Sequence, residues 1–322
     1  MIQKSTYFDS VITHLSDWPS SDLPTVSVVL DPRDVSLVSV SDSQIHVAFF
    51  DLYKLEILAT SPLLKRTESL RLRLPGCEIA RFLCRHVPSS LPSIKLLDAS
   101  TSTVRVDDIR LMLRSLPHLR HLILDGSGTL DGASIEQWTE FGRDCLMVNN
   151  GLKLEQVENE RFASQSLTSL EPESAASTPI VGSTRGVNIL PWVSSIRTIA
   201  LSAPPNADVD AQRNYIAAFQ RGWSGAMTEF NSRLRTARQG RSQGWRTLRF
   251  AMPDEVGHLL GHGGYHRMKI VDDDDFARLG KVMDDDDCPV VCLGGKFGTE
   301  GGIGHAKGCG HSIGWDAWED TL

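Results

Sequence analysis

One spacing of apolar positions recurs along the chain: apolar, two residues, apolar, two residues, apolar, one residue, apolar. It is clearest at Leu116, Leu119, Leu122 and Leu124, within LPHLRHLIL. It returns at Leu91, Ile94, Leu97 and Ala99, and again at Val193, Ile196, Ile199 and Leu201. Leu64, Thr67, Leu70 and Leu72 form a further unit, as do Leu146, Asn149, Leu152 and Leu154, and Trp245, Leu248 and Phe250 carry the second half of another. The last two positions of each unit are two residues apart, so they lie on one face of a short strand and point into a core. The earlier positions, at spacing three, belong to the turn that delivers the chain to that strand.

Between these strands the period changes to that of a helix. Ile79, Phe82, Leu83 and His86 form one stripe, Ile109, Met112 and Leu113 a second, and Ile135, Trp138, Phe141 and Cys145 a third. Asp107 and Asp108 suit the start of the second helix, where carboxylates meet unpaired N–H groups. Strand and helix alternate at about 25 to 30 residues, which predicts an α/β fold with a parallel sheet and helices on one side.

In these units the chain resembles leucine-rich repeat proteins of the ribonuclease-inhibitor-like kind, including the repeat parts of F-box substrate receptors. The resemblance covers residues 64 to 252. It implies an irregular leucine-rich-repeat-like arc of parallel strands backed by helices, and a surface that grips protein partners. The asparagine or cysteine usual after such a strand is replaced by Ser127 in one unit and Pro75 in another. No LPxEIL-like segment of an F-box is visible near the N-terminus.

Around this array the chain reads in three parts. Residues 1 to 62 predict short strands, at Val26–Leu30 and Ile45–Phe50, capping a repeat domain over 63 to 260. Residues 155 to 190 predict a flexible insertion, with a Ser- and Thr-rich stretch from Ala163 to Arg185. Val209 to Ala237 predicts the longest helix, which Gly222 and Gly225 divide. Residues 261 to 322 form an acidic tail rich in Gly, His and Cys.

Composition narrows the function. The net charge of −7 gives no drive toward nucleic acid, and the arginines lack interleaved aromatics. No apolar stretch reaches the roughly 18 residues of a membrane span. The N-terminus shows no basic region followed by an apolar run, which predicts a cytoplasmic or nuclear protein with its six cysteines reduced. Neither GxSxG nor HExxH occurs, and Lys296 after Gly295 is followed by Phe297, where a phosphate loop needs a hydroxyl.

The tail holds the densest chemistry. Cys288 and Cys292 are followed, after 12 residues, by His305, Cys309 and His311. Two close pairs of soft ligands across a loop of this length suit tetrahedral zinc, and the intervening glycines let a short chain wrap an ion. The alternative is a glycine-rich loop with incidental cysteines, since Pro289–Leu293 also reads as a plain strand. Asp272 to Asp275 and Asp284 to Asp287 read as solvated acidic runs rather than calcium ligands. Arg233, Arg235, Arg238 and Arg241 form a basic stretch that pairs with them or receives an acidic partner. His258, His262 and His266 share a spacing of four, but the glycines among them oppose a helix. The sequence therefore predicts a non-catalytic protein-interaction module, and the resemblance to F-box repeat receptors implies recruitment of substrates for ubiquitin ligation. The alternative is a zinc-binding or nucleotide-using enzyme built on the tail.

Overall fold

A computed structural model describes residues 6–19, 22–30, 52–85, 90–147, 187–191, 193–204, 206–250, 268–279, 282–294, 305 and 308–318. The fold is mixed α/β around a parallel six-stranded sheet. Its strands are β1 (Thr25–Val29), β2 (Ser69–Arg73), β3 (Leu96–Asp98), β4 (His121–Leu124), β6 (Thr198–Leu201) and β9 (Val290–Leu293). They lie side by side in that order, and every neighbouring pair is parallel. Each strand joins the same edge, so connections of one hand keep the intervening helices on one face. Those helices are α2 (Tyr53–Thr60), α3 (Ala80–Leu83), α4 (Val106–Ser115) and α5 (Ile135–Leu146), and their apolar sides enter the same core as the strands.

The recurrent apolar positions fill that core. Leu64, Leu91 and Leu116 are buried, then Thr67, Ile94, Leu119 and Ile196, then Leu70, Leu97, Leu122 and Ile199, then Leu72, Ala99, Leu124 and Leu201. Leu70, Leu97, Leu122 and Ile199 are successive partners across the sheet, as the predicted ladder requires. Two rungs differ. Leu146 ends helix α5 and β6 pairs directly with β4, while Leu152 and Leu154 lie outside the described residues. Phe250 belongs to β7 (Arg246–Phe250), which stands in a separate sheet with β5 (Val187–Leu190) and β8 (Met268–Ile270). A long helix intervenes between β6 and β7.

The N-terminal region differs from expectation as well. Its described residues include two helices, with α1 (Thr6–Ser16) packed against α2, while the predicted strand near Val26 is β1 and joins the main sheet. The strand predicted at Ile45–Phe50 lies outside the described residues, as does the Ser- and Thr-rich stretch of the insertion; Val187–Leu190, at the end of that insertion, is ordered strand β5.

Helix α6 (Val209–Ser242) runs unbroken through Gly222 and Gly225. Asp208 caps its start by accepting a hydrogen bond from the Ala211 amide at 2.7 Å. Gly222 serves close approach rather than a break: a β-carbon there would overlap the backbone carbonyl of Thr139 in α5, and one at Gly142 would overlap that of Phe219. Around this crossing Trp138 stacks on Tyr215 at 5.3 Å and Phe141 meets Phe219 edge-on at 5.5 Å.

Candidate metal centre

The second face of the six-stranded sheet carries the site. Because side chains alternate along a strand, the residues between the core positions point away from the helices. One such row runs Arg71, Asp98, Ile123, Ala200 and Cys292, each the register partner of the next. Two residues on, toward the strand ends, the row above holds Arg73, Asp125 and Gly294. Helix α8 (Gly310–Trp318) lies on this face and packs Ile313, Ala317 and Trp318 on Leu96, Ile123 and Ala200. Cys309 immediately precedes the helix and His311 stands in its first turn.

This arrangement brings four of the predicted ligands together. One donor atom from each of Cys292, His305, Cys309 and His311 lies within 4.8 Å of the other three. Cys292 Sγ is 3.5 Å from His305 Nδ1, and Cys309 Sγ is 4.0 Å from the same nitrogen. Tetrahedral zinc, with bonds of about 2.0 to 2.3 Å, separates its ligand atoms by roughly 3.4 to 3.8 Å. The two spacings from His305 lie within a few tenths of an ångström of that range, and closing the widest, at most 4.8 Å, asks for a shift of about 1 Å, so the cluster could hold a metal ion. Cys292, Cys309 and His311 are 3%, 0% and 4% exposed, which shields such an ion from water. Two glycines create the room. A β-carbon at Gly294 would overlap the His305 ring, and Gly308 turns into the helix with a φ of +71°.

Electrostatics orient the ligands. His311 Nε2 lies 2.9 Å from Asp125 Oδ1, which makes Nδ1 the ring nitrogen that could ligate a metal. A carboxylate behind a ligating imidazole fixes its tautomer and raises its basicity. Burial opposes a charge on His311, but Asp125 and Cys292 outweigh it and push the imidazole up to about 10. Burial, then neighbouring His311, lowers His305. Burial raises the Cys309 thiol, yet hydrogen bonds with Ser312, Cys292 and His311 bring it below its ordinary value. A depressed thiol is the readier metal ligand, because the thiolate is the binding form.

Cys288 does not join the cluster. It precedes β9 and packs against the helix-side core, with Cys145 among its neighbours. The strand reading of Pro289–Leu293 and the ligand reading of Cys292 hold together, since β9 presents Cys292 to one face and Val291 and Leu293 to the other. Spacing could not separate Cys288 from Cys292; strand alternation separates them physically. Asp125 escaped the sequence reading altogether. It lies 186 residues from His311, and its only signal was a position two residues past Ile123 on the outward face.

The other predicted residues fall elsewhere. Arg241 pairs with Asp273 and stacks 4.4 Å over Phe276, while Arg249 bonds Asp275 at 2.7 Å, so basic and acidic segments meet within the chain. The first acidic run starts helix α7 (Asp273–Leu279), where its carboxylates suit the positive end of the helix dipole. Arg233 pairs with Glu229, and Arg235 and Arg238 lie further along α6. His258, His262 and His266 lie outside the described residues. Among the described residues, no helix is long and apolar enough to cross a membrane. No family model, curated protein or solved structure matches the chain.

Proposed function

We propose that the protein is a non-catalytic protein-interaction scaffold whose C-terminal segment is fixed by a structural zinc ion on Cys292, His305, Cys309 and His311. The supporting observation is the set of four converging donors, three of them buried and His305 partly exposed. Two thiolates and two imidazoles fill a tetrahedral shell and leave no position for water or substrate, the arrangement of structural rather than catalytic zinc. Their softness favours zinc over magnesium or calcium. The Asp125 carboxylate behind His311 adds the outer support such ligands use.

The scaffold half of this reading rests on shape. Parallel strands added one after another to a single edge, with equivalent turn and strand positions buried, agree with an irregular leucine-rich-repeat-like arc. At its N-terminal end Trp18, Tyr53 and Val29 are about half exposed, and Val11, Leu15 and Trp18 line a shallow hollow on α1. Large apolar groups left in water are a feature of partner-binding surfaces.

Elemental analysis of the full chain, expressed with zinc and dialysed, tests the metal. One zinc per chain is expected in the wild type and in Cys288→Ser, and none in Cys309→Ser. A wild type without stoichiometric metal overturns the zinc reading. Crosslinking in cells tests the scaffold: adducts with another protein are expected, and a chain crosslinked only to itself overturns that half.

A further inference from the structure

Helix α8 and the metal centre occupy the same face of the sheet, and the four ligands divide between two bodies. Cys292 belongs to β9 and therefore to the sheet. Cys309 and His311 belong to the start of α8. An ion bound by all three ties the helix to the sheet at one end.

The rest of the helix is seated by contacts that involve no ligand. A β-carbon at Gly310 would stand 3.0 Å from Ala200 Cβ and 3.1 Å from Thr198 Oγ1, and one at Gly314 would crowd Ile123 Cδ1. The two glycines, four apart, let the helix backbone lie directly on the strands. Ile313, Ala317 and Trp318 then cover Leu96, Ile123 and Ala200, a small apolar cluster separate from the main core. At the far end the Arg71 guanidinium lies 4.6 Å over the Trp318 ring, and Arg71 is itself held by buried Asp98. Trp318 is seven residues beyond His311, about 10 Å along the helix axis.

We infer that metal binding and the seating of α8 on the sheet are one coupled equilibrium, with the ion as clasp and the helix as strap across this face. The inference rests on the metal reading above and adds a regulatory consequence to it. The geometry requires it: lifting α8 carries Cys309 and His311 away from Cys292, so the four-ligand site exists only with the helix in place. Reciprocity follows from linkage, because a docked helix that favours the ion is favoured by the ion to the same degree. The apolar cluster holding the helix alone is only three sheet residues wide. Removal of the ion therefore shifts the equilibrium toward a lifted helix, in which Leu96, Ile123 and Ala200 are bared with Asp98 and Asp125 alongside.

The test measures zinc affinity of the full chain by competition with a chromophoric chelator. Trp318→Ala and Ile313→Ala touch no ligand, yet each is expected to weaken zinc binding by about 5- to 150-fold, the usual range of coupling between sites. Ile57→Ala, on the exposed side of α2, should leave affinity unchanged. Hydrogen exchange of the wild type gives a second readout that needs no variant: amides of residues 310–318 should be protected with zinc and exchange fast after chelation. One zinc per chain with unchanged affinity in both variants, or equal protection with and without the metal, overturns the coupling and leaves the zinc reading standing. A wild type that binds no zinc overturns both.

Discussion

The two faces of the six-stranded sheet are built on different principles. The helix face is a continuous apolar layer, where Leu70, Leu97, Leu122 and Ile199 lie in register beneath α3, α4 and α5. The opposite face alternates charge, small apolar groups and soft donors: Arg71, Asp98, Ile123, Ala200 and Cys292 in one row. The first is held by area removed from water, which is non-directional and tolerant of detail. The second is held by directed contacts, each needing its partner in place. Side-chain alternation along the same short strands produces both. Substitutions should therefore fail in different ways on the two sides.

The largest effect is expected where backbones touch on the helix face. Gly222→Val forces a branched side chain into the carbonyl of Thr139, and neither helix can give way without opening the aromatic crossing of Trp138, Phe141, Tyr215 and Phe219. Overpacking against backbone should cost more than about 3 kcal/mol. Thermal unfolding followed by circular dichroism should show a large loss that added zinc does not rescue. A variant as stable as the wild type would mean that α5 and α6 do not cross at these glycines.

Next comes the charged part of the second face. Asp98 is fully buried, accepts from Arg71 at 3.2 Å and Arg73 at 2.8 Å, and caps the Ser100 amide at 3.0 Å. Asp98→Ala removes the buried carboxylate that Arg71, itself 7% exposed, shares with Arg73. Breaking a buried pair from one side costs about 3 to 5 kcal/mol, with the low end expected here because Arg73 is partly solvated. Chemical denaturation should show the loss. Replacing Arg71 and Asp98 together by Met and Leu should recover much of it, which a purely apolar face would not require. Equal stability of the Asp98→Ala variant and the wild type would remove the contrast between the faces.

The contrast also explains what could be read from residues alone. The helix face was legible because its signal is periodic: LPHLRHLIL and its relatives state the strand, the turn and the buried side within nine residues. The fifth and sixth units were not legible, because Leu146 satisfies a helical stripe and a repeat start equally, and only packing chooses. α1 was missed because TYFDSVITHLS is rich in β-branched and aromatic residues, and its helix gains from packing on α2. On the second face, Cys292, His305, Cys309 and His311 stood out by residue type and spacing. Asp125 and the role of Arg71 did not, since nothing local links them to a helix near the C-terminus.

The subtlest prediction concerns that missed carboxylate, and it turns on pH. Asp125 acts on zinc affinity in two opposite ways. By accepting from His311 Nε2 it makes the other nitrogen a stronger ligand, and losing such an outer partner costs about 10- to 100-fold in affinity. By holding His311 up to about 10, it also keeps a proton on the ring that the metal must displace. The sign is fixed by the direction of the shift. A raised imidazole stabilises the metal-free fold fully below its unfolded value of about 6.5, and that contribution disappears as pH rises through 10. Metal competes with this proton, so apparent affinity in the wild type should climb steeply between pH 6 and pH 9. In Asp125→Asn the proton leaves more easily, so the climb should be shallower. The cost of the substitution should then be largest near pH 9 and shrink as pH falls. Zinc titrations across that range, with proton release followed by calorimetry in buffers of different ionisation enthalpy, measure both terms. A cost independent of pH would mean that Asp125 supports the fold around the site without tuning His311, leaving the second face held by metal and charge acting separately.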